Sequence, residues 1–264
     1  MTAPHPRARR RAAHLWRDGA LRAVEVPVVR EIPVSLRLNG REIITLLASD
    51  DALEFLAAGF LKGEGFVSRR EDIVAIRVDP EAGTVDVDAT GVDPLAEKLL
   101  ERRAVTSGCG KGTTFTHALD ALQSRPAPAG PRVSVVEVRR LVQGLLAGSA
   151  LYREAGGVHS AALATTAGIL IFRDDIGRHN AVDKIHGECF LHGIPVEDKI
   201  LLTTGRVSSE ILVKAAKLGV AVLVSRSSAT DLALELAVRM GITVIGQVRG
   251  GGLTVYTGEG RVSG

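Results

Sequence analysis

The sequence predicts an α/β protein, α+β overall, in which a smaller mixed α+β unit precedes a larger unit of repeated βαβ elements. Three observations predict it. Within residues 24–89, β-like runs separated by turn signals dominate, with one helical stretch among them. From residue 135 onward, short apolar runs alternate with helical periodicity, the pattern of a parallel sheet with right-handed crossovers. Between the two, Ser124 to Pro131 holds three prolines that cannot sit inside a regular element, which places a boundary there. The expected organisation is a disordered basic tail over 1–23, an N-terminal α+β domain over 24–124 and a C-terminal domain over 132–264.

Taken in order, Asn39-Gly40 divides the runs Ile32 to Leu38 and Glu42 to Leu47 as a type I′ hairpin turn would. Ser49, Asp50 and Asp51 supply N-cap candidates for a helix whose Leu53, Leu56, Ala57, Phe60 and Leu61 repeat at helical spacing, and Gly63 is expected to end it. A second β pair, Ile73 to Val78 and Thr84 to Ala89, turns through Asp79 to Gly83 before a helix from Pro94 to Arg103. Val105 to Thr114 (VTSGCGKGTT) has no helical or strand period and reads as a loop. Beyond the boundary the expected helices are Val135 to Ala147, Arg178 to His192, Ser209 to Leu218 and Asp231 to Met240, the last with a capping box from Ser228 to Asp231. Strands are expected at Ser160 to Thr165, Ile169 to Arg173, Lys199 to Thr204, Ala221 to Ser225, Thr243 to Val248 and Leu253 to Tyr256.

Composition narrows the function. Of 264 residues 45% are hydrophobic and 24% charged, enough apolar material for a core and too much for a disordered chain. Aromatics at 3% argue against stacking platforms for single-stranded nucleic acid, so no nucleic-acid partner is expected. Two cysteines, Cys109 and Cys189, exclude a disulfide framework and an all-cysteine zinc site, and fit a reducing compartment. No run reaches the ~18 apolar residues of a membrane span, and Arg17, Asp18, Arg22 and Glu25 interrupt any export signal after Arg9 to Arg11. A cytoplasmic protein without a membrane partner is expected. Arginine makes up 26 of the 33 basic residues. Its planar fork suits phosphate and carboxylate, although a compositional bias would produce the same excess.

Three places could carry chemistry. Cys109 sits in Ser107-Gly108-Cys109-Gly110-Lys111-Gly112, where glycines leave the backbone free, nothing bulky shields the sulfur and a cation lies two residues away. Such a setting favours the thiolate, the nucleophile of persulfide exchange. Cys189, on an expected helix, suits core packing instead. Second, His179, Asp183 and His186 fall at i, i+4 and i+7 of one helix and could join His159 in a metal site. The same polar run, with Arg178 and Asn180, could form a hydrogen-bond network around a polar ligand, or a solvated face. Third, the loops Thr203 to Ser209, with Arg206, and Ser225 to Ser228, with Ser227, lead from strand ends into helix N-termini, where N–H groups favour anions such as pyrophosphate. The run Arg249 to Gly252 lets backbone approach a ligand and adds a guanidinium.

In this order the landmarks resemble the FdhD family of formate dehydrogenase accessory sulfurtransferases, over roughly Glu25 to Tyr256. The pieces that carry the resemblance are the Asn-Gly turn followed by GFLKGEGF (59–66), TSGCGKG (106–112), GGVHSAAL (156–163), DIGRHNAVDK (175–184), TTGRVSSE (203–210) and GQVRGGG (246–252). The resemblance implies a sulfur carrier, a sulfurtransferase acting through a cysteine persulfide. It would take sulfur from a cysteine desulfurase and pass it to the bis-molybdopterin guanine dinucleotide molybdenum cofactor before insertion into formate dehydrogenase. It implies a cytidine-deaminase-like C-terminal fold, Cys109 as the persulfide cysteine, and cofactor contact by Gln247, Val248, Arg249, Gly250, Gly251 and Gly252. His159, Arg178, His179 and Asn180 would line the cavity, with no metal of the protein's own, and a two-fold-like cofactor suits a homodimer. The chain departs from the family in three respects. Gly112 replaces the second cysteine of a Cys-x-x-Cys loop, so single-cysteine transfer must suffice. Ala161 stands where a deaminase His-x-Glu needs its glutamate, and the Pro-Cys-x-x-Cys ligand set is absent. Gly252 replaces a common basic residue and leaves Arg249 as the only cation of that segment, which would weaken cofactor affinity. The rival readings are a metal-dependent nucleotide deaminase or hydrolase on His159, His179, Asp183 and His186, and a non-catalytic chaperone that shields the cofactor.

Overall fold

A computed structural model describes residues 5–93 and 129–264. The expected helix at Pro94 to Arg103, the loop 105–114 with Cys109, and most of the proline-rich boundary lie outside the described residues.

The chain begins with an antiparallel hairpin, β1 (Ala8–Arg17) and β2 (Ala20–Val29), closed by Asp18 and Gly19 at φ 54° and 76°. Positive φ at both central residues is the type I′ signature. The expectation of a disordered tail over 1–23 is therefore corrected. The hairpin projects from the body, with Trp16 and Leu21 exposed, and only its base packs: Ala8 and Val29 meet Leu151 and Val158. Solvent on both faces of most of its length erases the apolar alternation that betrays a half-buried strand.

The N-terminal unit is a four-stranded sheet ordered β4-β3-β6-β5, built from β3 (Ile32–Leu38), β4 (Arg41–Ala48), β5 (Ile73–Asp79) and β6 (Thr84–Ala89). Ile32, Val34, Leu36 and Leu38 are buried at alternate positions, as a strand with one covered face requires. Asn39 and Gly40 both take positive φ, so the hairpin turn is the one their sequence predicts. Helix α1 (Leu53–Glu64) covers the sheet with Leu53, Leu56, Ala57, Phe60 and Leu61. Its N-cap is Ala52, in the left-handed region, and no side chain caps it. Asp50 and Asp51, expected there, pair instead with Arg30 and Arg7 at 2.5 and 2.7 Å. Nor does Gly63 end the helix: Gly65 does, at φ 85°, its N–H donating to the carbonyls of Leu61 and Lys62.

The C-terminal unit is a six-stranded mixed sheet ordered β13-β12-β11-β10-β8-β9. Its strands are β8 (His159–Ala164), β9 (Ile169–Asp175), β10 (Ile200–Thr203), β11 (Val222–Ser225), β12 (Thr243–Arg249) and β13 (Gly252–Thr257). β10, β11 and β12 are parallel, as the βαβ pattern predicts, while β8 and β13 run antiparallel to their neighbours. Every residue of β10 and β11 is buried, because helices cover both faces. Helix α2 (Val135–Gly148) lies on one face over Ala162, Leu202 and Val224. It starts in a reciprocal capping box: Glu137 N–H donates to Ser134 Oγ at 3.2 Å, and Ser134 N–H to Glu137 Oε2 at 2.7 Å. A short α3 (Ala150–Ala155) follows. On the other face α4 (Arg178–His192), α5 (Ser209–Leu218) and α6 (Asp231–Arg239) pack over Leu163, Leu201 and Leu223. The capping box expected from Ser228 to Asp231 is not formed; α6 takes Thr230 as its N-cap, without a side-chain bond. A two-stranded pair, β7 (Val133–Ser134) with β14 (Val262–Ser263), ties the chain end to the start of α2. Among the described residues no helix is long and apolar enough to cross a membrane.

The two units join where α1 crosses α4. A Cβ at Gly59 would fall 1.9 Å from the Asp183 carbonyl oxygen, and one at Gly187 would fall 1.9 Å from the Phe55 carbonyl oxygen. Each glycine thus holds the space that the other helix's backbone fills. Side chains would push the axes apart to the usual 8–10 Å or beyond. Gly59→Ala should therefore destabilise the protein by the upper part of the ~1–3 kcal/mol cost of overpacking. Urea unfolding measures it, with the glycine-to-alanine change at exposed Gly144 of α2 as a comparison that should be neutral or stabilising.

Candidate functional site

The C-terminal ends of the parallel strands form a rim on which most of the sequence-selected residues meet. Three segments build it: Thr203 to Ser208 after β10, Ser225 to Thr230 after β11, and Gln247 to Gly252 between β12 and β13. They are bonded to one another. Arg226 N–H donates to the Thr203 carbonyl (3.1 Å), Val207 N–H to that of Ser228 (3.0 Å) and Gln247 N–H to that of Ser227 (2.8 Å). Gly205 N–H donates to Thr203 Oγ1 (3.1 Å) and Ser227 N–H to Ser225 Oγ (2.9 Å). The N–H groups of Gly205, Arg226, Ser227 and Val207, which the strand-to-helix pattern offers to an anion, are thus already satisfied inside the loops. Helix α5 is capped by Ser208 in the same way, its Oγ accepting from Ile211 N–H.

His159, at the start of β8, lies beside this rim with Nδ1 3.4 Å from Thr204 Oγ1. Burial, then the Arg178 guanidinium, lower its pKa from the usual imidazole value. Arg178, the first residue of α4, rests on Gly205, where a Cβ would come 2.8 Å from its own. His179 Nε2 stands 3.0 Å from Glu210 Oε2. Burial, with Lys214, Arg178 and His159 nearby, pushes its pKa down to about 3, so the contact is one of a neutral imidazole and not an ion pair. Arg206 is exposed on the rim and Ser227 half-buried. Gln247 is exposed in the left-handed region at φ 53°, at an irregularity in the β12 ladder, and its Oε1 accepts from Thr254 Oγ1 at 3.2 Å. Val248 is buried in the α2-side core, whereas Arg249 is exposed with Nε donating to the Arg226 carbonyl at 3.4 Å. A Cβ at Gly250, Gly251 or Gly252 would meet nothing within 4 Å, which leaves that backbone open to an incoming ligand.

Asn180 is set apart. It is buried, and its amide nitrogen donates to the Leu47 carbonyl (2.8 Å) and to Asp175 Oδ1 (2.9 Å), so it braces the junction between the two units. Around it lies a network that the sequence analysis missed. Lys184, fully buried, reaches Asp175 Oδ2 at 2.7 Å and Asp51 Oδ1 at 3.1 Å. Asp175 also accepts from the Ser49 and Gly177 N–H groups, and Arg7 completes the pairing of Asp51. Next to it, Asp174 accepts from the hydroxyls of Ser149 and Ser160 at 2.7 and 2.6 Å. The DIGRHNAVDK segment therefore builds a joint as well as a site wall. Two adjacent carboxylates followed by a lysine one helix turn beyond Asn180 were a visible signal, but their partner Asp51 was not.

The metal reading on His159, His179, Asp183 and His186 is corrected. Asp183 Oδ1 accepts from Lys214 at 2.6 Å, and burial with lysines around it pushes the His186 imidazole down to about 3. Among the described residues no group of three histidine, cysteine or acidic side chains could hold a metal ion. Cys189 is buried, and burial beside Glu188 pushes its thiol up to about 12, which leaves it protonated and inert. Cys109 lies outside the described residues.

Comparison with known proteins places these features. The FdhD/NarQ family model matches residues 29–263. The chain belongs to the FdhD/NarQ family. The sulfur carrier protein FdhD of Bacillus subtilis (strain 168) is 39% identical over 250 residues, covering 94% of this chain and 95% of that protein. FdhD of Staphylococcus aureus (strain JH9) is 35% identical over 247 residues, covering 94% and 93%. A crystal structure from Desulfotalea psychrophila, described as that of a formate dehydrogenase accessory protein, superposes with a TM-score of 0.81 at 26% identity, covering 98% of this chain and all of that one. Of the segments that carry the resemblance, GGVHSAAL, TTGRVSSE and GQVRGGG reach the rim, whereas GFLKGEGF reaches the α1–α4 crossing.

Removing the Lys184 ammonium with Lys184→Met leaves the fully buried Asp175 carboxylate without its cation, and should cost about 3–5 kcal/mol in urea unfolding at neutral pH. The buried histidines set the acid limb of stability. An imidazole with a folded pKa near 3 and an unfolded value near 6.5 costs nothing above pH 6.5, and destabilises the fold progressively as pH falls from 6.5 toward 3. Between pH 7 and pH 5 that amounts to about 2 kcal/mol for each histidine. Unfolding at both pH values should show His186→Gln with a correspondingly smaller loss than the parent protein.

Proposed function

We propose that this chain is a sulfur carrier in formate dehydrogenase maturation, with Cys109 as the carrier atom's seat and the strand-end rim as the seat of the cargo. The observation that carries this reading is the contrast between the cysteines. Cys189 is held protonated in the core, while Cys109 stands in TSGCGKG, one of the segments that carry the resemblance to FdhD, with a lysine two residues away. In the loading step the Cys109 thiolate attacks the outer sulfur of a persulfide on a cysteine desulfurase. The new sulfur–sulfur bond forms as the donor's breaks, the desulfurase cysteine leaves as a thiolate, and Cys109 becomes the persulfide. In the delivery step the sulfur–sulfur bond breaks, Cys109 leaves as the thiolate, and the outer sulfur passes to the molybdenum of the bis-molybdopterin guanine dinucleotide cargo, which as molybdenum(IV) would supply the two electrons that turn it into a sulfido ligand, before that cofactor enters formate dehydrogenase.

The cargo rests on this chain's own groups. Arg249 and the open backbone of Gly250 to Gly252 receive its anionic part, and the neutral imidazoles of His159 and His179, with Arg178, Arg206, Ser227 and Gln247, present polar edges along the rim. Neutral histidines suit this role because they supply one donor and one acceptor without adding charge. The sheet order, with β8 antiparallel to three parallel strands and helices on both faces, supports a cytidine-deaminase-like lineage for the C-terminal unit. A homodimer would offer one rim to each guanine dinucleotide arm. A chain with only two cysteines, one of them the carrier, fits a reducing compartment, which favours the cytoplasm as the place of work.

Incubation with a cysteine desulfurase and cysteine, followed by intact mass measurement, tests the reading. The parent chain and Cys189→Ala should gain one sulfur, Cys109→Ser should gain none, and only Cys109→Ser should fail to activate formate dehydrogenase. Full activation by Cys109→Ser would overturn the assignment.

A further inference from the structure

The β1–β2 hairpin supplies nothing to the rim, and its side chains are sorted by face. Ten residues in each strand make a ribbon about 30 Å long. Side chains alternate between its two faces, so the cross-strand register assigns each one to a face. The face that meets Leu151 and Val158 at its base carries Arg10, Glu25, Trp16 and Leu21 further out. The opposite face carries Arg9, Arg11, Arg17 and Arg22 and no carboxylate. Among these run Val28, Val26, Val24 and Leu15, each at least partly exposed. Among the described residues none of the four arginines forms an ion pair. With five arginines against Asp18 and Glu25, the hairpin holds an excess of three positive charges, as many as the formal +3 of the whole chain. The ribbon is also firmly mounted. Arg7, just ahead of β1, pairs with Asp51 at 2.7 Å, and Arg30, just after β2, pairs with Asp50 at 2.5 Å. Arg30 N–H donates to the Arg7 carbonyl at 2.8 Å and closes the foot.

An exposed apolar stripe framed by unpaired cations is an interaction surface, and its chemistry selects what covers it. A second copy docked through the same face would set four arginines against four. A phosphate backbone or a lipid headgroup layer would answer the arginines but leave the valines without apolar cover, and Asp18 at the hairpin tip would be repelled by either. A protein surface with carboxylates around an apolar centre satisfies both sets of side chains. Position says which protein. The base of the hairpin touches the segment that leads into the rim: a Cβ at Gly157 would stand 3.7 Å from Val29 Cγ1, and Val158, packed in the same cluster, is followed by His159. A partner lying along the ribbon therefore stands beside the rim from which the cargo leaves. We propose that the arginine and valine face of the β1–β2 hairpin is a docking arm for the enzyme that receives the cargo, and that it binds an acidic surface with an apolar centre on that enzyme. The identity of the recipient as formate dehydrogenase rests on the carrier reading above; the arm itself rests on the sorting of the side chains. The family model begins at residue 29, so nearly all of the arm lies ahead of the residues it matches.

Surface plasmon resonance with formate dehydrogenase apoenzyme passed over the immobilised full chain tests the arm. The parent chain should bind, and added salt should weaken the binding. Arg11→Glu combined with Arg22→Glu should weaken it about tenfold or more, and Val26→Ser by a smaller factor. Arg10→Glu, the same charge change on the other face, should bind within about twofold of the parent. Activation of formate dehydrogenase should fall in step with binding, while sulfur loading of Cys109 stays at the parent level. Circular dichroism checks folding, and Arg22→Gln, at an exposed position of the ribbon, carries the test if the reversed pair does not fold. No binding by the parent, equal affinities for the parent and the arginine variants, or an equal loss in Arg10→Glu would each overturn the arm. Adsorption of the parent to phosphatidylglycerol vesicles that the reversed pair abolishes would give the face to a membrane instead, and loss of a dimer of this chain in the reversed pair would give it to a second copy; either result overturns the proposal. Loading of Cys109 by a cysteine desulfurase is read separately on the parent. Apoenzyme binding through the arm without loading leaves the arm standing and removes the carrier reading, and loading without a role for the arm does the reverse.

Discussion

Where α1 passes α4, backbone touches backbone, with Gly59 against the Asp183 carbonyl and Gly187 against that of Phe55. This contact has consequences well beyond the two helices. With the N-terminal unit so close, α4 has the sheet on one side and α1 on the other, and every residue from Asn180 to Gly187 is buried. A helix buried all round usually carries apolar side chains. This one carries Asn180, Asp183, Lys184 and His186, and each is accommodated by a neighbour or by losing its charge. Lys184 meets Asp175 and Asp51, Asp183 meets Lys214, Asn180 meets Leu47 and Asp175, and His186 stays neutral. Ion pairs so far from water contribute little net stability, but breaking one strands a charge, and they penalise any other docking of the two units.

The same docking positions the rim. Asp175, held by the joint, accepts from Gly177 N–H two residues further on, at the N-cap of α4. Arg178 then lies on Gly205 and His179 against Glu210. The N-terminal unit, which supplies none of the rim's side chains among the described residues, therefore determines where two of them stand. Charge is distributed accordingly. In the joint every cation has a carboxylate within reach, whereas the arginines beside the β12–β13 turn have none among the described residues. That asymmetry separates the part of the protein whose charges are paired from the part whose cations stand without a carboxylate among the described residues.

Much was legible before any coordinates. Helices Arg178–His192 and Ser209–Leu218 begin and end where the sequence places them, and the three parallel strands follow from their alternation with helices. The turn at Asn39-Gly40 was visible, and Asp18-Gly19 carried the same signal before a hairpin that composition alone read as a tail. The caps expected at Ser49 to Asp51 and at Ser228 misled because a short polar side chain before an apolar run serves a helix or a distant partner equally well, and distant arginines won at Asp50 and Asp51.

The chain's own order determined its local elements, its motifs, and the distinction between a cysteine set among glycines and one set in an apolar helix, since each depends on neighbours within a few residues. Only the tertiary structure decided that Lys184 answers Asp51 across 133 residues, that Asn180 braces the junction between units, and that Arg139 and Arg226 stand with Arg249 around one cavity. Periodicity reports which face of a segment is buried. It carries no information about which other segment buries it, and the pairing of charges and the shape of a cleft follow from that second choice.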